Sequence, residues 1–179
     1  ISYQNTYKVP LMIVNVMNAF GERQHPEKFI PKCINKVLRG EKVHIHSYPD
    51  KKRAGTRFYI HARNIAAAVQ FLLNNGSVGE KYNITGEKEV DNLELAQFIA
   101  DVCKKPLDYE MVNFHASRPG HDLRYGLSGK KMESMGWTLP LGFEESLRKT
   151  IEWTVENQRW LNAETWAGET TNVDSDSDL

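Results

Sequence analysis

Two cysteines in 179 residues, Cys33 and Cys103, are too few for a disulfide framework. Each falls in a predicted helix, so they read as buried free thiols of a reducing, cytoplasmic setting. No run of 18 apolar residues occurs, so no transmembrane helix is expected. The opening Ile1-Ser2-Tyr3-Gln4-Asn5-Thr6-Tyr7-Lys8 lacks the apolar stretch of a signal peptide. Neither sign of charge dominates, with 23 Lys plus Arg against 23 Asp plus Glu. That balance argues against broad capture of nucleic acid or an acidic membrane, and leaves room for a local pocket that takes a small anion. Glycine-rich phosphate turns are missing: neither G-x-G-x-x-G, nor G-x-x-G-x-x-G, nor G-x-x-x-x-G-K-[ST] occurs. The G-x-S-x-G elbow is missing too, and a Tyr-x-x-x-Lys pair is expected to be absent at all seven tyrosines. These residues do not describe a self-contained enzyme. The chain opens without Met and close to a predicted strand, which reads as a fragment.

What is present is concentrated in Arg118-Pro119-Gly120-His121-Asp122-Leu123-Arg124-Tyr125. Two guanidiniums, an imidazole, a carboxylate and a phenol surround a Pro-Gly turn, a composition that no apolar core requires. Pro119 fixes one φ and Gly120 permits a positive one, so the backbone bends and polar side chains converge. Arginine's planar, permanently charged fork suits phosphate oxygens. The alternative is a surface turn with solvated charges.

Helical and extended patterns alternate, which gives the α/β class. Val9–Met17 is a nearly continuous apolar run and predicts a strand buried on both faces. Glu27–Leu38 predicts a helix with Ile30, Cys33, Ile34, Val37 and Leu38 inward and Gly40 past its end. Short strands follow at Val43–His46 and Arg57–Ile60, around a charged loop, Pro49–Gly55. Ala62–Asn75 predicts a helix with Ile65, Val69, Leu72 and Leu73 on one stripe. Lys81–Thr85 is a strand. Asp91 and Glu94 have the spacing of a capping box, opening a helix that buries Leu95, Phe98, Ile99 and Val102. Leu107–Val112 predicts a strand, Lys130–Met135 a short helix, and Phe143–Leu161 a long one with Phe143, Leu147 and Ile151 inward. A polar, acidic tail over 164–179 is expected to be disordered, which leaves 1–163 as one lobe.

The order of several polar stations resembles the extended short-chain dehydrogenases/reductases that act on nucleotide sugars, and among them the 4,6-dehydratases. The stations are Asn15-Val16-Met17-Asn18-Ala19-Phe20-Gly21, His25-Pro26-Glu27-Lys28-Phe29-Ile30-Pro31, Arg57, Tyr82-Asn83-Ile84-Thr85-Gly86, Arg118-Pro119-Gly120-His121-Asp122 and Gly136-Trp137. The resemblance runs from about Tyr7 to about Trp160. It implies the C-terminal part of a Rossmann-type epimerase/dehydratase fold, with the glycine-rich NAD-binding half and the catalytic Tyr-x-x-x-Lys pair absent. For the parent it implies NAD as internal hydride carrier: hydride leaves C4 of the sugar, water is eliminated across C5 and C6, and the hydride returns to C6. No catalytic residue of those steps is assigned to this chain.

By the same resemblance the ligand is a nucleotide-diphosphate sugar. Arg57 and Arg118 would clamp the diphosphate, with Asn18 and Asn83 adding neutral hydrogen bonds. Glu27, Lys28 and Phe29 match the segment that touches the base. His121 and Tyr125 match positions near diphosphate or ribose, and His44 and His46 stand where an aromatic stacks on the base. Val16 is a weak candidate for contact with NAD. Phe29 reads equally as a core residue at a helix start, and His121 as a brace within its loop. The sequence departs from the family where Phe58-Tyr59 replace an Asp-Trp pair and where His61-Ala62-Arg63-Asn64 replace Tyr-Val-Glu-Asp. Epimerases, decarboxylases and GDP-mannose dehydratases of this architecture stay open as alternatives. So do a non-catalytic binding module, a metal site from His44, His46 and His61, and a nucleic-acid contact through Lys51-Lys52-Arg53. The uncovered apolar strand predicts a homodimer or other self-association.

Overall fold

The computed structural model describes residues 2–113 and 122–162. Their contacts divide into two units, one of residues 2–20, 56–90 and 124–146, the other of residues 21–55, 91–113, 122–123 and 147–162.

The first unit begins with helix α1, Ser2–Tyr7, where the sequence pattern announces nothing. Strand β1, Ile13–Val16, pairs in parallel with β5, Lys81–Ile84. Strand β2, Asn18–Phe20, pairs in parallel with β4, Thr56–His61. The other neighbours of β4 are β6, Glu89–Asp91, and the two-residue parallel strand β8, Arg124–Tyr125. Helix α3, Ala62–Asn75, follows β4 directly, and the short helix α5, Lys130–Ser134, lies against β5. Met17, Ile60, Ala68, Leu72, Tyr82, Ile84 and Met132 form the core.

Two expectations fail here. The run Val9–Met17 is not one strand buried on both faces: it is β1 and then β2, with Val14 40% exposed. The chain changes partner at Met17, whose N–H bonds the Ile84 carbonyl at 3.1 Å before β2 turns to β4. In α3 the inward row is Asn64, Ala68 and Leu72, while Val69 and Leu73 are exposed. A reading of apolar residues alone misses this face because its first member is polar. The Asn64 amide donates to the Leu141 carbonyl at 2.9 Å and accepts from the Leu141 N–H at 3.0 Å.

The second unit pairs β3, Val43–Ser47, in parallel with β7, Tyr109–Asn113. Helix α2, Phe29–Arg39, packs on α4, Asn92–Cys103. The buried residues Ile30, Cys33, Ile34 and Val37 recur at helical spacing in α2, and Gly40 closes it at φ +66°. The expected cap of α4 forms: the Asp91 carboxylate accepts from the N–H groups of Leu93 and Glu94 at 2.7 and 3.3 Å. The predicted helix Phe143–Leu161 is shorter than expected. Helix α6 is Phe143–Glu156, Asn157 leaves helical geometry at φ −119°, ψ 49°, and Gln158–Leu161 form a 3-10 turn. Phe143, Leu147 and Ile151 are buried as expected.

Both cysteines are free thiols, Cys33 buried and Cys103 half-buried. Burial pushes the Cys33 thiol up to about 12, with Cys103 adding to the rise and Lys36 opposing it. Burial likewise pushes Cys103 up to about 11. Among the described residues no helix is long and apolar enough to cross a membrane.

Replacing Asp91 by Ala removes the α4 cap and is expected to lower stability by about 1 kcal/mol, read from urea unfolding. Cys33 is expected to resist iodoacetamide at pH 8 in the folded chain and to react once the chain is unfolded in urea; mass spectrometry of the labelled peptides checks this.

Candidate functional site

Strand geometry decides which polar side chains of the first unit keep company. Successive residues of a strand face opposite ways, and residues in parallel register stand side by side. In β4, Phe58 and Ile60 belong to the core side, with Ile60 1% exposed and Phe58 packed against the cluster. Arg57, Tyr59 and His61 therefore share the opposite face. Asn18 is the register partner of Tyr59, and Tyr125 of Arg57. The structure thus brings three predicted residues, Asn18, Arg57 and Tyr125, onto one sheet face around Tyr59, which sequence reasoning did not select. The Asn18 side-chain N–H₂ is buried and has no hydrogen-bond partner. A buried unmet donor costs on the order of 1–3 kcal/mol, so it is a place where an incoming acceptor gains. The Arg57 guanidinium donates to the Thr56 carbonyl at 2.7 Å, and Tyr125 is 39% exposed.

Asn83 lies in the other sheet of this unit, in register with Asn15. It accepts from the Asn15 amide at 3.0 Å and donates to the Ser128 carbonyl at 3.1 Å. Val16, at the end of β1, is half-buried and packs against the core.

The second unit holds the remaining described candidates. Glu27 and Lys28 are exposed and Phe29 half-buried where α2 begins. The segment is set by His25, whose Nδ1 accepts from the Glu27 N–H at 3.3 Å and whose carbonyl accepts from the Lys28 N–H at 3.0 Å. His44 and His46 share the exposed face of β3, since Val43, Ile45 and Ser47 are buried. Glu110 stands in register with His44, Nε2 to Oε2 3.8 Å. Arg118 and His121 lie outside the described residues, so the Arg57–Arg118 clamp remains a proposal.

Three alternatives are corrected or weakened. His61 is no metal ligand: it is buried, its Nδ1 accepts from the Arg63 N–H at 3.2 Å as the cap of α3, and its ring meets Phe20 edge-on at 5.2 Å. Among the described residues no group of three His, Cys, Asp or Glu could hold a metal ion. One Tyr-x-x-x-Lys spacing does stand in the chain, Tyr48 to Lys52, against the reading that it is absent. It runs through a turn, with Lys51 at φ +55° and the Arg53 guanidinium over the Tyr48 ring at 4.4 Å, and not along one helix face. That stacked arginine also belongs to the Lys51-Lys52-Arg53 run.

The sequence also passes over Glu89. Its carboxylate accepts from the Thr56 hydroxyl at 2.5 Å and from the Arg124 guanidinium at 2.8 Å. Arg124 first, and Thr56 second, hold the Glu89 carboxyl below the usual carboxylate value of 4.5. Its stabilising contribution is therefore present above that value and lost as the pH falls through the lowered one. No local spacing signals this cluster, because its three members come from three strands distant in sequence.

Comparison with known proteins gives a consistent result. Residues 1–85 match the NAD dependent epimerase/dehydratase family. A dTDP-glucose 4,6-dehydratase of Salmonella typhimurium is 34% identical over 167 residues, 90% of this chain and 45% of that protein. A trifunctional UDP-glucose 4,6-dehydratase/UDP-4-keto-6-deoxy-D-glucose 3,5-epimerase/UDP-4-keto-L-rhamnose-reductase of Arabidopsis thaliana is 33% identical over 89% of this chain and 23% of its own. The crystal structure of dTDP-glucose 4,6-dehydratase from Bacillus anthracis in complex with NAD superposes with a TM-score of 0.76 at 31% identity, covering 89% of this chain and 49% of that one. The chain thus spans about half the length of the dTDP-glucose 4,6-dehydratases it matches. With its parallel α/β sheets, the chain matches the NAD dependent epimerase/dehydratase family over residues 1–85 and is similar to the dTDP-glucose 4,6-dehydratases over nine-tenths of its own length.

Proposed function

We propose that this chain is the substrate-binding half of a nucleotide-sugar 4,6-dehydratase, gripping the nucleotide diphosphate while the proton and hydride chemistry belongs to residues outside it. The observation that carries this reading is the shared face of β4, where Arg57 stands beside Tyr125 and the unmet amide of Asn18 beside Tyr59. A guanidinium and neutral donors on one rigid strand suit an anion that must be held in a fixed orientation. Charge-assisted hydrogen bonds contribute roughly 1.5–3 kcal/mol each. Two arginines, Arg57 and Arg118, would then supply much of a micromolar affinity, about 8 kcal/mol. In this reading Asn18 and Asn83 add neutral hydrogen bonds, His121 and Tyr125 serve the diphosphate or ribose, and Glu27, Lys28, Phe29, His44 and His46 serve the base. The relatives' names include both dTDP- and UDP-sugars, so thymine and uracil are the bases to compare.

NAD belongs to the family, as the NAD-bound relative illustrates. The residues of this chain do not by themselves fit a dinucleotide: no glycine-rich turn is present, and Val16 offers apolar contact alone. No step of the reaction is therefore derived through NAD. Self-association is part of the proposal and is supported by exposed apolar side chains of the first unit, Val14 at 40%, Leu73 at 72% and Val78 at 62%.

Calorimetry with dTDP-glucose and UDP-glucose tests the ligand class. Binding of one, weakened about tenfold or more in Arg57→Ala, is expected; affinity for neither sugar, or an unchanged dissociation constant in the variant, rejects the reading. Light scattering across a concentration series is expected to show a mass that rises above that of one chain, and a constant single-chain mass contradicts self-association.

A further inference from the structure

We propose that Glu89 is a positioning residue: held between the Thr56 hydroxyl and the Arg124 guanidinium, its carboxylate latches β8 onto β4 and so sets Tyr125 beside Arg57. The proposal rests on the nucleotide-diphosphate reading for its consequence, and on geometry alone for the latch.

Strand β8 has two residues, Arg124 and Tyr125, both exposed. A parallel ladder of two register pairs offers little backbone hydrogen bonding, and parallel pairing is the weaker kind. Something else has to hold such a strand in register. Thr56 and Arg124 are register partners, and both donate to the one Glu89 carboxylate, at 2.5 and 2.8 Å. The contact therefore ties β4 to β8 at a defined level. Arg57 and Tyr125 are the next register pair and face the other way. One face of the two-residue strand carries the latch while the other presents Tyr125 to the polar row. Gly126 follows, where an added Cβ would come within 3.2 Å of the Phe58 ring, so the chain leaves β8 close against β4.

The competing reading is an ordinary surface ion pair. Side-chain exposure is 29% for Glu89 and 60% for Arg124. A pair so placed adds little to the stability of a whole domain. Its effect on a two-residue strand is large by comparison, because that strand has a ladder of only two register pairs with β4. The two readings thus differ in where the loss is felt.

Hydrogen exchange of the full chain, with calorimetry against dTDP-glucose and UDP-glucose, separates them. Glu89→Gln, Glu89→Ala and Arg124→Ala are expected to speed amide exchange across 122–126 by about tenfold, with the thermal midpoint and exchange in α3 unmoved. The Glu89→Ala/Arg124→Ala double variant is expected to add nothing to either single one. Arg124→Lys, which keeps the charge, is expected to recover most of the protection. The same variants that open 122–126 are expected to weaken binding of whichever sugar the wild type takes by about tenfold. Unchanged exchange over 122–126 in both Glu89 variants overturns the latch, and faster exchange with unchanged sugar affinity overturns the positioning role. Wild-type chain that binds neither sugar defeats the nucleotide-diphosphate reading instead, and exchange still decides the latch.

Discussion

The alternation of side chains along β4 is the constraint on which the first unit depends. Six residues, Thr56–His61, give their core face to Phe58 and Ile60 and their other face to Arg57, Tyr59 and His61. A slip of one residue in register would exchange those faces and drive a guanidinium into the apolar cluster. The strand is fixed at both ends. His61 caps α3 and meets Phe20 of β2, while Thr56 donates to Glu89. Gly86 passes so close to β4 that an added Cβ would sit on the Tyr59 carbonyl. Polar groups can be held accurately here because the backbone beneath them has no freedom to shift.

That placement favours binding over flexibility. Asn18 and Tyr125 are borrowed from other strands by register and not by loops, so their spacing from Arg57 and Tyr59 is set by the sheet. The buried amide N–H₂ of Asn18 has no hydrogen-bond partner within the protein, an exception among buried polar groups, most of which are bonded. The second unit is built by the same economy. His44 and His46 project from β3 because Val43, Ile45 and Ser47 must be inside, and Ser47 meets its buried state by donating to the carbonyls of Tyr48 and Val112, both at 3.1 Å.

Local signals are legible in this sequence and long-range ones are not. Gly40 ends α2, Asp91 caps α4, and Ala62–Asn75 is α3 to the residue, because caps and 3.6-residue periodicity are properties of neighbouring residues. The run from Val9 misled because apolar content does not say where a chain changes partners, and that change at Met17 is made by Ile84. The inward face of α3 was missed at Asn64, since burial of an amide is permitted only by Leu141, 77 residues away. Of the residues that share the polar face of β4, the family resemblance points to Asn18, Arg57 and Tyr125. Tyr59, Thr56 and Glu89 carry no such mark, and Arg124 stands out in its polar stretch without its partners, because parallel pairing joins segments whose order in the chain does not announce it.

The displaced titratable groups fall into two kinds. Glu80, Glu89, Cys33 and Cys103 are clearly displaced from their usual pKa. Two are carboxylates held ionised, Glu80 by the Lys131 ammonium and Glu89 by the Arg124 guanidinium and the neutral Thr56 hydroxyl. Two are thiols held neutral by burial, Cys33 and Cys103. All four move away from neutrality, opposite to the tuning that a general acid or base requires near pH 7. A carboxylate kept charged is instead a dependable acceptor, able to hold two donors at fixed distance across a wide pH range. Glu89 has the environment of a strut, and the strand it holds carries Tyr125.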